Sequence, residues 1–386
     1  GSVRVLIGGQ KDIRFMTING YARLVGYDDD FNIVPDLLEK VEIEDNKVFT
    51  LHLRPGHRWS DGEPFTAEDF RYWWEDVANN AELSLGGPPV QLLVDGQPPV
   101  FEVLDETTVR YSWPAPTPFF LPALAGATPL YIYTPAHYLK DYHQKYADPA
   151  ALQERIAGSG KDNWASLHNQ LDNLYRMDNP ALPTLEPWQV QTEQPTERII
   201  AERNPYYHRV DQAGHQLPYI DRFILSVVSP GLIPTKTGAG ESDLQSRGIN
   251  FSDYTFLKDA QQRTGFQVFL WQTVRGSELA LYPNLNVNDE GWRSLLRDAR
   301  FRRALSLAVN RSEINQVIYY GLGLEGAHTV LPGSPLYRPE YREAWASYDI
   351  KQANALLDEM GLTKRNADGI RLMPDGRPLE IVVESA

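Results

Sequence analysis

At 386 residues the chain is longer than one hydrophobic core normally supports, so two or three domains are expected. Hydrophobic residues at 42% and charged residues at 23% are ordinary for a globular protein, and 51 acidic against 37 basic residues give a formal charge of −14, which argues against nucleic acid as the main partner. With no cysteine there can be no disulfide framework, thiol nucleophile or cysteine metal site, and no run of about eighteen apolar residues offers a membrane span.

Val3 to Ile7 is a short apolar run, and Tyr21-Ala22-Arg23-Leu24-Val25 leads into Gly26-Tyr27-Asp28-Asp29-Asp30. The three aspartates lack the glycine and distal glutamate of an EF-hand loop, so they read as a solvated turn. Phe49, Leu51 and Leu53 alternate with Thr50, His52 and Arg54, the period-2 pattern of a half-buried strand. Arg54-Pro55-Gly56 stops it, and Ser60-Asp61-Gly62-Glu63-Pro64 supplies a second turn. Thr66 is placed to cap a helix, with Asp69 answering it in a capping box. Phe70, Trp73, Trp74 and Val77 then fall at i, i+3, i+4 and i+7, giving one broad apolar face.

Phe101–Val103 and Val109–Tyr111, separated by Asp105-Glu106-Thr107, read as a hairpin. The proline-rich run Trp113 to Phe120 reads as a rigid connection before a helix carrying Phe119, Leu121 and Leu124. A helical pattern from Thr134 to Tyr146 carries His137 and His143, but i, i+6 does not bring two histidines to one face, so no metal site is expected. Residues 148–180 are polar and helical, with Trp164, Leu167, Leu171 and Leu174 as a core stripe. Ile199 to Arg203 and Ile220 to Val228 read as strands, as do Phe266, Val268 and Leu270. Gly238 to Leu244 is glycine-rich but lacks the Gly-Lys-Ser/Thr run that cradles phosphate.

In the last third, Phe301, Ala304, Leu305, Ala308 and Val309 form a buried helix stripe. Asn310-Arg311 breaks it, and Ser312 can cap a second helix with Ile314, Val317 and Ile318. Asp349 caps a further helix that turns Ala353, Leu356, Leu357 and Met360 inward and stops at Gly361. A hairpin framed by Asp368-Gly369 and Pro374-Asp375-Gly376 leads to a strand with Leu379, Ile381 and Val383.

Two stretches, LHLRPGHRWSDGEPFTAEDF from Leu51 and DARFRRALSLAVNRSEINQVIYYG from Asp298, closely resemble signatures of extracellular solute-binding protein family 5. That family comprises receptors that feed peptide, nickel and opine ABC importers. The resemblance implies a mixed α/β, periplasmic-binding-protein-like fold (type II, cluster C) of two lobes with an extra domain inserted in the first. The corresponding boundaries are 1–40 and 184–268 for the first lobe, 41–183 for the inserted domain and 269–386 for a second lobe expected to be incomplete.

The resemblance also implies binding without chemistry. Tyr21 to Glu39 is similar to a family segment that faces the ligand, which makes Tyr21 and Arg23 candidates, and Ala22 stands where the family usually has a glutamate. Gly238 to Leu244 resembles the family's Gly-Glu-x-Asp turn, whose following residues line the cleft, here Gln245 and Arg247. The stretch from Trp271 to Asn284 resembles the crossing between lobes, with Trp271, Arg275, Glu278, Tyr282 and Asn284 as the main candidates. The expected solute is a peptide or a peptide-like or opine-like molecule, with no catalytic residue, metal or cofactor. The expected partners are a permease and ATPase subunits at the inner membrane, and the protein is expected to be a periplasmic monomer. A glycosidase, supported by nine tryptophans and many carboxylates, and a peptide-binding chaperone or signalling receptor are the competing classes.

Overall fold

In a computed structural model, residues 1–9, 22–126, 129–174, 176, 178–193, 196–271 and 276–384 are described. The chain divides into two compact units, Gly1–Gln267 and Val268–Ala386.

The first unit contains all ten strands found among the described residues. They are β1 (Ser2–Ile7), β2 (Val25–Tyr27), β3 (Ile33–Pro35), β4 (Leu38–Glu44), β5 (Val48–Leu53), β6 (Val100–Asp105), β7 (Thr108–Ser112), β8 (Trp188–Val190), β9 (Arg198–Arg203) and β10 (Arg222–Val227). One sheet has the order β1-β10-β9-β8, with β1 parallel to β10 and the remaining pairs antiparallel. Its buried face gathers Val5, Ile7, Trp188, Ile199, Ala201, Phe223 and Leu225. A second, antiparallel sheet has the order β4-β5-β7-β6, and β2 and β3 form a separate ribbon.

Alternation located β5 but understated its burial. Phe49, Leu51 and Leu53 are buried as expected, and so is Thr50, because β5 lies between β4 and β7 and the Arg110 side chain on β7 reaches over it, donating to the Thr50 hydroxyl at 3.2 Å. The double turn that follows is shaped by what it approaches. A Cβ on Gly62, at φ +94, would lie 3.0 Å from the Tyr206 hydroxyl oxygen, and the Arg58 guanidinium donates to the Gly62 carbonyl at 2.6 Å.

Thr66 caps α1 (Ala67–Arg71) in a complete capping box with Asp69. The buried Asp69 carboxylate also accepts from the Trp59 indole at 3.2 Å and from the Ala136 amide at 3.0 Å, so one side chain ties the turn, the helix and a distant segment together. The helix continues as a π-helical stretch, Tyr72–Ala78. Its wider turn carries Tyr72 and Asp76 inward along with Trp73, Trp74 and Val77, so the segment is enclosed over more than the one face expected.

Further along, α2 (Phe120–Ala125) turns Phe120 and Leu124 into the core and leaves Phe119 at 78% exposure, a one-residue correction to the expected stripe. A single turn, α3 (Ala136–Leu139), follows. His137 meets Asp61 at 2.8 Å while His143 bonds the Asp76 carbonyl at 3.1 Å, so the two rings serve different contacts. α4 (Pro149–Ser159) and α5 (Trp164–Leu171) bury Leu152, Ile156, Trp164 and Leu167. After β10 come α6 (Ile233–Gly238) and α7 (Tyr254–Thr264).

The second unit is helical among its described residues: α8 (Glu290–Arg297), α9 (Ala299–Leu307), α10 (Arg311–Tyr319), α11 (Pro339–Glu343) and α12 (Ile350–Glu359). α9 packs on α12 through Ala304, Leu307 and Ala353, while Phe301 joins Leu295, Leu362 and Met373. The buried stripe thus includes Leu307, and Ala308, expected inside, is exposed beyond the end of the helix. Asn310, not Ser312, caps α10 by accepting from the Glu313 amide, since the helix begins at Arg311. Val317 and Ile318 on α10 are 71% and 52% exposed. Asp349 caps α12 as expected, and Gly361 sits at φ +81 beyond its end. Among the described residues no strand is assigned at Phe266–Leu270 or Leu379–Val383, both expected as strands; the Leu379 amide donates to the Arg371 carbonyl at 2.7 Å, and alternation alone does not hold an extended chain.

Candidate ligand-binding surface

In the first unit, Arg23 precedes β2 and is drawn inward by acceptors from three sides. Its guanidinium donates to the Ala22 carbonyl at 2.9 Å, to the Tyr131 hydroxyl at 3.3 Å and to the Glu186 carboxylate at 3.3 Å. Glu186 also accepts from the Ala22 amide at 3.1 Å. Burial pushes the Glu186 carboxyl up to about 8, and the Arg23 charge and the Ala22 amide act against that rise. A groove beside the pair is lined by Trp59, Tyr131, Tyr133, Thr184 and Glu186.

Next to it, Asp36 accepts from His208 at 2.7 Å, from Arg209 at 2.8 Å and from the Arg23 amide at 3.0 Å. Burial alone would raise the Asp36 carboxyl, but the bonds from His208 and Arg209 outweigh it and bring it down to about 2. His57, edge-on to His208 at 5.4 Å, is lowered to about 4 by burial and by the neighbouring cations.

Gln245 lies half-buried against β1, bonded to Leu6, and Arg247 is exposed two residues on. Tyr21 and Arg275, both expected at the site, lie outside the described residues. The remaining candidates belong to the second unit. Trp271 is 73% and Tyr282 80% exposed, and Glu278 and Asn284 are exposed as well. Asn284 accepts from the Asn286 amide at 3.0 Å, which fixes the turn after Tyr282. Tyr282 meets His328 edge-on at 6.5 Å.

The candidates therefore fall into two kinds. Arg23 and Gln245 spend their polar atoms inside the first unit, while Arg247, Trp271, Glu278, Tyr282 and Asn284 are exposed residues, Asn284 with its oxygen on the Asn286 amide. In the second unit, the exposed aromatic faces of Trp271 and Tyr282 are of a kind that suits stacking on a polar organic solute. Among the described residues, no cluster of three or more histidine, aspartate or glutamate side chains could hold a metal ion.

Sequence reading missed Glu186, Asp36 and His328. Glu186 closes an apolar run just before Pro187-Trp188, and an acid in that position was the available signal. His328 stands in an irregular stretch with no period to assign it.

The fold is that of a periplasmic binding protein of the family 5 type, as in the solved oligopeptide-binding protein OppA. That structure superposes with a TM-score of 0.78 at 35% identity, covering 98% of this chain and 60% of the other. The chain belongs to the bacterial extracellular solute-binding proteins, family 5, whose middle-region model matches residues 32–386. It is 27% identical over 382 residues to a periplasmic alpha-galactoside-binding protein of Rhizobium meliloti, covering 92% of this chain and 50% of that protein. It is 25% identical over 346 residues to the periplasmic oligopeptide-binding protein OppA of Salmonella typhimurium, covering 85% and 55% respectively. The chain thus spans about half the length of these curated relatives.

Proposed function

We propose that this protein is the solute-binding receptor of an ABC importer, taking up a peptide or a peptide-like or opine-like solute outside the cytoplasm and delivering it to a membrane permease. The observation that carries this reading is the family match across residues 32–386. The exposed Trp271 and Tyr282 support it, since large aromatic surfaces are costly to leave in water unless a partner covers them. Binding is reversible and involves no turnover. The receptor acts in the periplasm as a monomer, alongside permease and ATPase subunits.

In this reading residues 1–40 and 184–268 form the first lobe, 41–183 the inserted domain, and 269–386 part of the second. Sheet composition supports the split in outline: β1 and β8–β10 draw on residues 2–7 and 188–227, whereas the other four-stranded sheet lies within 38–112, its first strand β4 (Leu38–Glu44) crossing the boundary at 40. Closure of two lobes would shield the solute from water and strengthen its polar contacts.

An oligosaccharide is the second reading of the solute, favoured by the similarity to the alpha-galactoside-binding protein over 92% of this chain and by the stacking surfaces of Trp271 and Tyr282. The full-length protein should be screened by thermal shift against peptides, opines and alpha-galactosides, and hits titrated by calorimetry. A saturable shift from one class names the solute. Turnover of a bound solute, lost on replacing one carboxylate, would overturn the receptor reading in favour of a glycosidase.

A further inference from the structure

β1 stands at one end of its sheet, and such a strand leaves the amide and carbonyl of alternate residues without a strand partner. Its odd-numbered residues face β10: the Gly1 carbonyl accepts from the Arg222 amide at 3.1 Å and the Ile7 carbonyl from the Val228 amide at 2.9 Å. Arg4 and Leu6 face the other way. All four of their backbone groups are nevertheless satisfied, and by one short segment. Asp243 Oδ2 accepts from the Arg4 amide at 2.8 Å, and the Asp243 amide donates to the Arg4 carbonyl at 2.9 Å. Gln245 Oε1 accepts from the Leu6 amide at 3.0 Å, and Gln245 Nε2 donates to the Leu6 carbonyl at 2.8 Å. The Arg4 guanidinium adds a two-pronged pair to Asp243 at 2.7 and 3.0 Å.

Asp243 and Gln245 are two residues apart, as are Arg4 and Leu6, so three side-chain bonds and the Asp243 amide replace the missing strand rung for rung. Gln245 Nε2 has a second acceptor, the Arg247 carbonyl at 2.8 Å. A glutamine amide has two N–H groups, and here both have acceptors while the oxygen holds the Leu6 amide. A solute could bond those groups only by displacing one of these contacts.

We propose that Asp243 and Gln245 form a side-chain strand closing the free edge of β1, and that Gln245 is a positioning residue that fixes Arg247 rather than a solute contact. The solute part of this inference rests on the receptor reading above; the edge closure does not. Glutamine is required because the position needs an acceptor and two donors at once. Glutamate would keep the acceptor for Leu6 and turn a carboxylate toward the Leu6 and Arg247 carbonyl oxygens.

The test is amide hydrogen exchange and backbone amide relaxation on the full-length protein and its Q245M, Q245E and R247A variants, with calorimetric titration of trialanine and raffinose as probes. Q245M should speed exchange at Leu6 about tenfold, the factor for one lost hydrogen bond, lower the order parameters across residues 246–248, and leave Leu225 unchanged. Q245E should keep protection at Leu6 yet loosen residues 246–248. For whichever probe binds, Q245M should weaken affinity as much as R247A, with the double variant no weaker than R247A. Unchanged exchange at Leu6 in Q245M overturns the edge closure. Unchanged order parameters at 246–248, or affinity losses that add to those of R247A, overturn the positioning role and make Gln245 a contact. If neither probe binds the wild type, the expected solute classes fail, and exchange at Leu6 and relaxation at 246–248 still decide both structural claims.

Discussion

Replacing Asp69 with alanine removes the acceptor shared by three buried donors. Its carboxylate takes the Thr66 amide at 3.0 Å, the Trp59 indole at 3.2 Å and the Ala136 amide at 3.0 Å. A buried donor left unpaired costs about 1–3 kcal/mol, and relaxation or water can recover part of that for neighbouring groups, so the loss should be about 3 kcal/mol and not the sum of three full penalties. Thr66→Ala, which removes only the capping hydroxyl, should cost about 1 kcal/mol. Asp69→Asn should fall between them, because the amide keeps one acceptor oxygen and turns its NH2 toward the remaining donors. Urea denaturation followed by tryptophan fluorescence reads all three, with Trp59 as a reporter next to the lesion. A loss below about 1 kcal/mol for Asp69→Ala would refute the idea that this carboxylate joins turn, helix and distant segment.

Trp271→Ala and Tyr282→Ala should change stability by less than about 0.5 kcal/mol, because both side chains are exposed, yet each should weaken solute binding about tenfold or more, read by calorimetry. In the second unit, Phe301→Ala should cost about 3–5 kcal/mol, while Val317→Ser on the exposed face of α10 should be nearly neutral in the same denaturation assay. Two carboxyls should shape the pH profile of stability in opposite directions. Asp36 is held down to about 2, so its contribution is present above the ordinary carboxyl range and is lost as pH falls toward 2; Asp36→Asn should flatten that acid limb. Glu186 is raised to about 8, so its contribution is full below the ordinary carboxyl value and declines as pH climbs toward 8; Glu186→Gln should flatten that limb.

Local signals carried most of the fold. The Thr66–Asp69 capping box, the hairpin β6–β7, the cap at Asp349 and the stop at Gly361 depend on neighbours in sequence, and each was legible there. The failures share a different physics. Thr50 is buried because of what packs against β5, Tyr72 because a π turn rotates it inward, and Leu379–Val383 pairs with no strand among the described residues. No periodicity encodes those long-range partners.

The candidate site came from resemblance more than from residue chemistry. Arg23 is a candidate through the resemblance of its segment to one that faces the ligand, and its acceptor Glu186, 163 residues away, cannot be paired with it by inspection. Gln245 likewise gave no hint that its amide completes the hydrogen bonding of Leu6, 239 residues earlier. Trp271 and Tyr282 are the opposite case: large aromatics would ordinarily fill a core, yet both face outward.

The central claim, that this chain belongs to a receptor which binds a small solute and releases it unchanged, is tested most directly by native mass spectrometry of the full-length protein purified from its own host. The account predicts a bound molecule of peptide, opine or oligosaccharide mass that is released intact on denaturation and restores the complex when added back. A protein that is empty from its host and unresponsive to all three classes, or one that returns the added solute cleaved, would contradict it.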